Sequence, residues 1–297
     1  MRRPYRTAGV ICSLCAALFL TACSGGTSAV GQTGQDTDWQ AERLNYDRRT
    51  QQDQRTEPED EEKMKTVNLD EYDQAILLTE SGDIWISGSL DGAVIIDGAE
   101  DELVHLYLAG INISSRRGPA IIVREASKVI VTLVSGTENV LTDSSDYTDP
   151  NGWEAFEETP ACFYSVCDLT INGDGALRVY GYYEDGIRSK DRIKLLGGSV
   201  EVQAKGDGIR GNDGIFIQDA SVEVQSEENG LRTTNQGEDD RGVIEINGGT
   251  VSVVAGEKGI YTASDLYLYQ CRCSVNAVEE KVKAEETAYI AEGCLNK

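Results

Sequence analysis

The chain is poor in histidine, proline and basic residues: one His, five Pro and 27 Lys plus Arg among 297 residues. With His105 alone, zinc sites built on several histidines and any chemistry that needs paired imidazoles are excluded. Against those 27 cations stand 51 Asp and Glu, for a net charge of −24. A field of that sign repels phosphate backbones and excludes a general nucleic-acid binder. Few prolines beside 31 glycines suit a chain with many tight turns, not a proline-rich tail. The apolar run Ala8 to Leu20 falls short of the roughly 20 residues that a membrane span needs.

That run follows Arg2, Arg3 and Arg6, as a signal peptide's apolar region follows its basic one. It ends in Leu20-Thr21-Ala22-Cys23, which resembles a bacterial lipobox. The resemblance implies a lipoprotein signal over residues 1–22, cleavage before Cys23 and lipid attachment to the Cys23 thiol. The mature protein is then expected at the extracellular face of a bacterial cell membrane, held there by the lipid only. Residues 23–66 sustain no apolar period and carry a dense acidic run from Glu57 to Glu62, so they read as a disordered tether.

Residues 67–297 are organised by a repeat. Asp185-Gly-Ile-Arg-Ser, Asp207-Gly-Ile-Arg-Gly, Asn229-Gly-Leu-Arg-Thr, Lys258-Gly-Ile-Tyr-Thr and Glu280-Lys-Val-Lys-Ala start 22, 22, 29 and 22 residues apart. The longer interval holds a hydrophilic insertion, Asn235 to Arg241. Within each unit Val200-Glu-Val-Gln, Val222-Glu-Val-Gln and Val251-Ser-Val-Val alternate inward and outward positions, as do Ile193-Lys-Leu and Ile215-Phe-Ile. Short strands in a fixed register of about 22 residues predict an all-β chain, a right-handed parallel β-helix solenoid. The register extends upstream through Leu169-Thr-Ile-Asn and Leu177-Arg-Val-Tyr, and Asp143 to Pro160 reads as a long loop.

Stacking converts a repeat into ladders with one rung about every 4.8 Å. Arg188, Arg210 and Arg232 share a column with Tyr261 and Lys283. Its guanidinium forks suit the carboxylates of a polyuronate, or pair internally with the Asp column. That Asp column holds Asp185 and Asp207, and a further one holds Asp191 and Asp213. Their repulsion calls for a cation, either the arginines or Ca²⁺; alternatively the Asp-Gly pairs simply form turns. Phe216 and Tyr267 fall in an outward column, with Tyr269 two residues on and Trp85 on an earlier strand. Exposed rings in such places would suit sugar faces. Five cysteines remain after Cys23. Cys294 lies one period after residue 272, so a disulfide from Cys294 to Cys271 or Cys273 is expected.

Together, the Asp/Gly-rich coils from Asp185 to Val224, with the stretches Gly118 to Asp143 and Asp168 to Val179, resemble a known family. It is the bacterial surface carbohydrate-binding domain with a calcium-binding, pectate-lyase-like parallel β-helix, and the likeness runs from about Ser81 to Ala277. The resemblance implies Ca²⁺ and binding of a plant polysaccharide, polygalacturonate-like or cellulose-like. Departures such as Ser189-Lys-Asp-Arg-Ile and Gly211-Asn-Asp-Gly-Ile each lack one carboxylate of the family pattern, which implies fewer metal sites. The insertion adds Asn235, Glu238 and Asp239 as candidate metal ligands. The expected function is a monomeric, non-catalytic polysaccharide binder. A Ca²⁺-dependent polysaccharide lyase, with an arginine of the ladder as base, and a structural stalk are the alternatives.

Overall fold

The computed structural model describes residues 49–147, 160–237 and 241–296. Each coil contributes three parallel strands, one to each of three faces. Leu169–Gly173, Ala176–Gly181 and Asp185–Ser189 make one coil; Arg192–Leu196, Ser199–Ala204 and Ile209–Gly211 make the next. Every strand pairs in parallel with its counterpart one coil away, so the chain is a parallel β-helix. The first face runs from Lys128–Leu133 to Ala288–Ile290 and the second from Glu138–Thr142 to Arg272–Ala277. The third face is a separate sheet from Ile76–Leu78 to Glu280–Ala284.

Two long strands, Gly82–Leu90 and Leu103–Ser114, bend through the corner and join the first two faces. At that corner Gly110 sits at φ +79°, and the side-chain oxygen of buried Asn139 accepts the amides of Gly110 and Ile111 at 3.0 Å each. The turn therefore keeps its backbone groups satisfied inside the protein.

Inside, the alternation closes into apolar columns. Leu177, Val200, Val222 and Val251 are stacked neighbours on the second face, and Ile187, Ile209, Leu231 and Ile260 on the third, all nearly inaccessible. These columns explain the glycine of the repeated Asp-Gly pair. A Cβ on Gly186, Gly208, Gly230 or Gly259 would stand 2.1–2.2 Å from a Cγ1 of Val202, Val224, Val253 or Val275. Glycine recurs there because the facing valine of the second face fills its side-chain space.

Two expectations are revised. Residues 49–66 are not a free tether. Asp53 is wholly buried, Arg55 forms a two-pronged ion pair with Asp83 (2.8 Å on each side), and Lys65–Asn68 adds a strand alongside Gly82–Leu90. Their polar composition resembled a linker because the contacts holding them are ionic. At the other end Cys271, Cys273 and Cys294 do converge: the first two sulfurs are 3.6 Å apart, and the amide of Cys273 donates to the carbonyl of Cys294 at 2.7 Å. They are nonetheless free thiols, as are Cys162 and Cys167. Burial pushes the Cys294 thiol up to about 11, so little of the thiolate that attacks in disulfide exchange is present. Cys23 and residues 148–159 lie outside the described residues.

Candidate functional site

The third face has two halves. Toward the N-terminus its outward positions are apolar: Ile95, Ile122 and Tyr164 pack with Tyr147 and Ala161 into a buried cluster. From Arg188 onward the same column becomes Arg188, Arg210, Arg232, Tyr261 and Lys283, each one coil from the last. The three arginine side chains are 19%, 21% and 29% exposed, which leaves the ladder open to a ligand.

The predicted Asp column lies beneath it. Asp185, Asp207 and Asn229 are buried, and each acidic side chain ties its coil to the next. Asp185 Oδ1 accepts the amide of Asp207 (2.9 Å); Asp207 Oδ1 accepts both the amide (3.2 Å) and the side-chain NH₂ (2.8 Å) of Asn229. Their other oxygens face the arginines. Arg188 Nη1 is 3.4 Å from Asp185, while Arg210 and Arg232 reach Asp207 at 3.7 and 3.2 Å. Two carboxylates thus hold three guanidinium groups by their tips. The Nε atoms of all three arginines are buried with no hydrogen-bond partner. A guanidinium carries five donors; the aspartates engage Nη1, the Nε is shut away from solvent, and the exposed part of each group is what a ligand can meet.

The local fields agree. Burial and then Asp207 push the Asp185 carboxyl up to about 7. Burial and Arg188 push Arg210 below its usual range, while the two aspartates oppose the drop. Tyr261 caps the ladder, its ring centre 5.7 Å from the Arg232 guanidinium and 5.4 Å from Lys258 Nζ.

A separate edge carries Asp191 and Asp213. Asp213 accepts the Asn235 side-chain NH₂ at 2.5 Å and lies 3.7 Å from Arg241 Nε. Burial raises Asp191, and the negative charges of Asp168 and Asp213 raise it further. Among the described residues no three His, Cys, Asp or Glu converge in the manner of a metal cage, and Glu238 and Asp239 lie outside those residues.

The aromatic expectation is corrected. Phe216, Tyr267 and Tyr269 do share the outer surface of the first face, but they are 4%, 7% and 1% exposed and pack with Val243. An outward strand position faces water only where nothing packs over the sheet, and this face is covered. Trp85 is half-buried, with its ring stacked on Tyr107 at 6.3 Å. The exposed rings lie elsewhere. Tyr182 is 51% exposed and stacks with Tyr180 at 6.5 Å. Tyr180 heads an outward column of the second face that continues through Gln203, Gln225, Val254 and Asn276, the last four exposed. Sequence reasoning passed over this column because an amide on a strand's outer side looks like ordinary solvated surface.

Comparisons with known proteins agree with this architecture. A family described as "Carbohydrate-binding domain-containing protein" matches residues 72–295. A protein of the same description from Acetivibrio thermocellus is 36% identical over 292 residues, covering 96% of each chain. A solved structure, the gadolinium derivative of a polysaccharide lyase-like protein from C. thermocellum, superposes with a TM-score of 0.74 at 28% identity. That superposition covers 79% of this chain and 98% of the other. With a parallel β-helix throughout and a family match over most of its length, the chain belongs to the carbohydrate-binding domain-containing protein family.

Proposed function

We propose that this protein is a lipid-anchored polysaccharide binder of a bacterial cell surface, and that the ladder Arg188–Arg210–Arg232 receives the carboxylates of an acidic, pectin-like chain. The observation that carries this reading is the row of three part-exposed guanidinium groups, one per coil, each fixed from behind through Nη1 by Asp185 or Asp207. A fixed guanidinium loses little freedom on binding and meets a carboxylate with a matching fork. One arginine per coil, about 4.8 Å apart, lets a polymer lying along the solenoid axis engage several at once. The anchor rests on the lipobox ending in Cys23.

Calcium, implied by the family resemblance, finds no donor set among the described residues. Asp185 and Asp207 do not fit a cation, because arginines and backbone amides already occupy their oxygens. Asp168, Asp191 and Asp213 do not fit one either: among the described residues no three acidic side chains converge on a common point, and Asp213 is engaged by Asn235 and Arg241.

A second reading, a neutral cellulose-like chain, is favoured by the column Tyr180–Gln203–Gln225–Val254–Asn276 with Tyr182 beside it. Amides and a flat ring match hydroxyls and a sugar face without any charge. Retention on immobilised polygalacturonate and on cellulose separates the two. Loss of the first with Arg188→Ala/Arg210→Ala supports the ladder; loss of the second with Gln203→Ala/Tyr182→Ala supports the amide column. Release of ultraviolet-absorbing unsaturated uronides would instead identify a lyase.

A further inference from the structure

The outer surface of the first face has a receptor filled by the chain itself. Asp53 Oδ1 accepts from Lys128 Nζ at 2.8 Å and Thr170 Oγ1 at 2.6 Å; Oδ2 accepts from Lys194 Nζ at 2.7 Å. Lys128, Thr170 and Lys194 come from three successive strands of that face, so the receptor exists because the coils stack. From there the segment runs along the solenoid axis toward its start. The Asn172 side chain donates to the carbonyls of Asp53 and Arg55 at 2.9 and 3.0 Å, and Arg55 then reaches Asp83 three strands back.

Three features distinguish this contact from ordinary strand addition. Among the described residues no backbone ladder joins residues 49–64 to the sheet; side chains of the sheet grip a chain laid across them. The floor under the segment is polar: His105 bonds Thr132 at 2.7 Å, and Thr132 bonds Asn172 at 2.6 Å. A buried ion pair costs more desolvation than an apolar clamp and adds less net stability, so fastening alone would not select it. Finally, a cavity of about 920 Å³ remains between the segment and the first coil, bordered by Gln51, Arg55, Glu59, Ser81 and Asp83. The segment is therefore not close-packed along its length.

We propose that Lys128, Thr170 and Lys194 form a carboxylate-binding subsite, and that Asp53 occupies it in place of a uronate of an acidic polysaccharide. An extended chain along the axis, with one carboxylate between two lysines and acceptor oxygens over Asn172, is the ligand this surface is built for. Polymer and segment then compete, and the segment tunes affinity by its own occupancy. This subsite lies on a different face from the arginine ladder, so the two assignments stand or fall separately.

The test is calorimetric titration of a galacturonate oligomer into the full chain, the Asp53→Ala variant and the Arg188→Ala/Arg210→Ala variant. Asp53→Ala is expected to bind about tenfold more tightly, since the competing occupant is gone. An affinity equal to or below that of the parent overturns the subsite. Failure of the ladder shows separately, as unchanged affinity in the arginine variant. Should Asp53→Ala not fold, proteolysis of the parent chain decides. Cleavage within residues 49–64 must accelerate with saturating oligomer and not with equimolar chloride. Unchanged protection overturns the proposal.

Discussion

Asp207 Oδ2 lies 3.2 Å from Nη1 of Arg232, one coil further along the solenoid. The same oxygen is 3.7 Å from Arg210 on its own coil. A single buried carboxylate therefore staples two coils and aims two guanidinium groups outward. Replacing Asp207 by Ala leaves both arginines without that partner and the Asn229 amide without its acceptor. Breaking one side of a buried ion pair costs about 3–5 kcal/mol. Urea unfolding of Asp207→Ala should show a loss of that order, and a change below about 0.5 kcal/mol would mean that the carboxylate is not a staple.

The repeated glycine makes a packing prediction. In Gly208→Ala the new Cβ would meet Val224 Cγ1 at 2.1 Å and the Gly230 carbonyl at 2.7 Å. Overpacking of this kind costs about 1–3 kcal/mol. Adding Val224→Ala should return part of the loss, so the double mutant is more stable than the sum of the two single effects. Strict additivity in a double-mutant cycle would rule out the contact as the reason for the glycine.

Stability should rise as pH falls from about 8 to about 5. Asp185 and Asp143 are raised from 3.8 to about 7 and about 6, chiefly by burial. The folded chain keeps protons that the unfolded chain releases. Their contribution is complete below about pH 4 and is lost as pH climbs through 6 and 7. Asp191 and Glu228, both raised, act in the same direction. His105 acts against them, because burial lowers it to about 4 and its contribution fades as pH falls below 6.5. Asp53 is held well below the carboxylate range by Lys128, Lys194 and Thr170 despite its burial, so its contribution is lost only in strong acid. In Asp185→Asn the midpoint should climb less between pH 8 and 5 than in the parent; an identical slope would contradict the assignment.

Residues 49–66 should behave as part of the fold. A chain beginning at residue 67 loses Asp53 from between Lys128 and Lys194 and Arg55 from Asp83. A lower thermal midpoint is expected than for a chain beginning at residue 49, with a smaller loss than for a charge left buried and unpaired, because the freed lysines regain water. Equal thermal midpoints for the two would restore the simple tether.

The solenoid was legible because its signal is periodic. Inward Val, Ile and Leu recur at a fixed spacing, and the register places Arg188 beside Arg210 and Arg232 as the spacing predicts. What lies over each face was not legible. Phe216, Tyr267 and Lys194 occupy outward positions that the alternation identifies correctly, yet they are buried. Covering a sheet is a decision made by distant residues, and Asp53 is 141 positions from Lys194. The charged composition that marks residues 49–66 as solvated is the same composition that lets them clamp onto lysines. The Asp-Gly pair, read as turn chemistry, a metal ladder or a partner for the arginines, combines a steric requirement at glycine with the third of these at aspartate.

The most direct measurement is calorimetric titration of polygalacturonate into the full chain and into Arg188→Gln/Arg210→Gln/Arg232→Gln, with folding of both checked by their thermal transitions. Removing three charge-assisted contacts at about 1.5–3 kcal/mol each predicts that binding falls below detection in the triple variant. Undiminished affinity in a folded triple variant would contradict the assignment of the arginine ladder as the polysaccharide site.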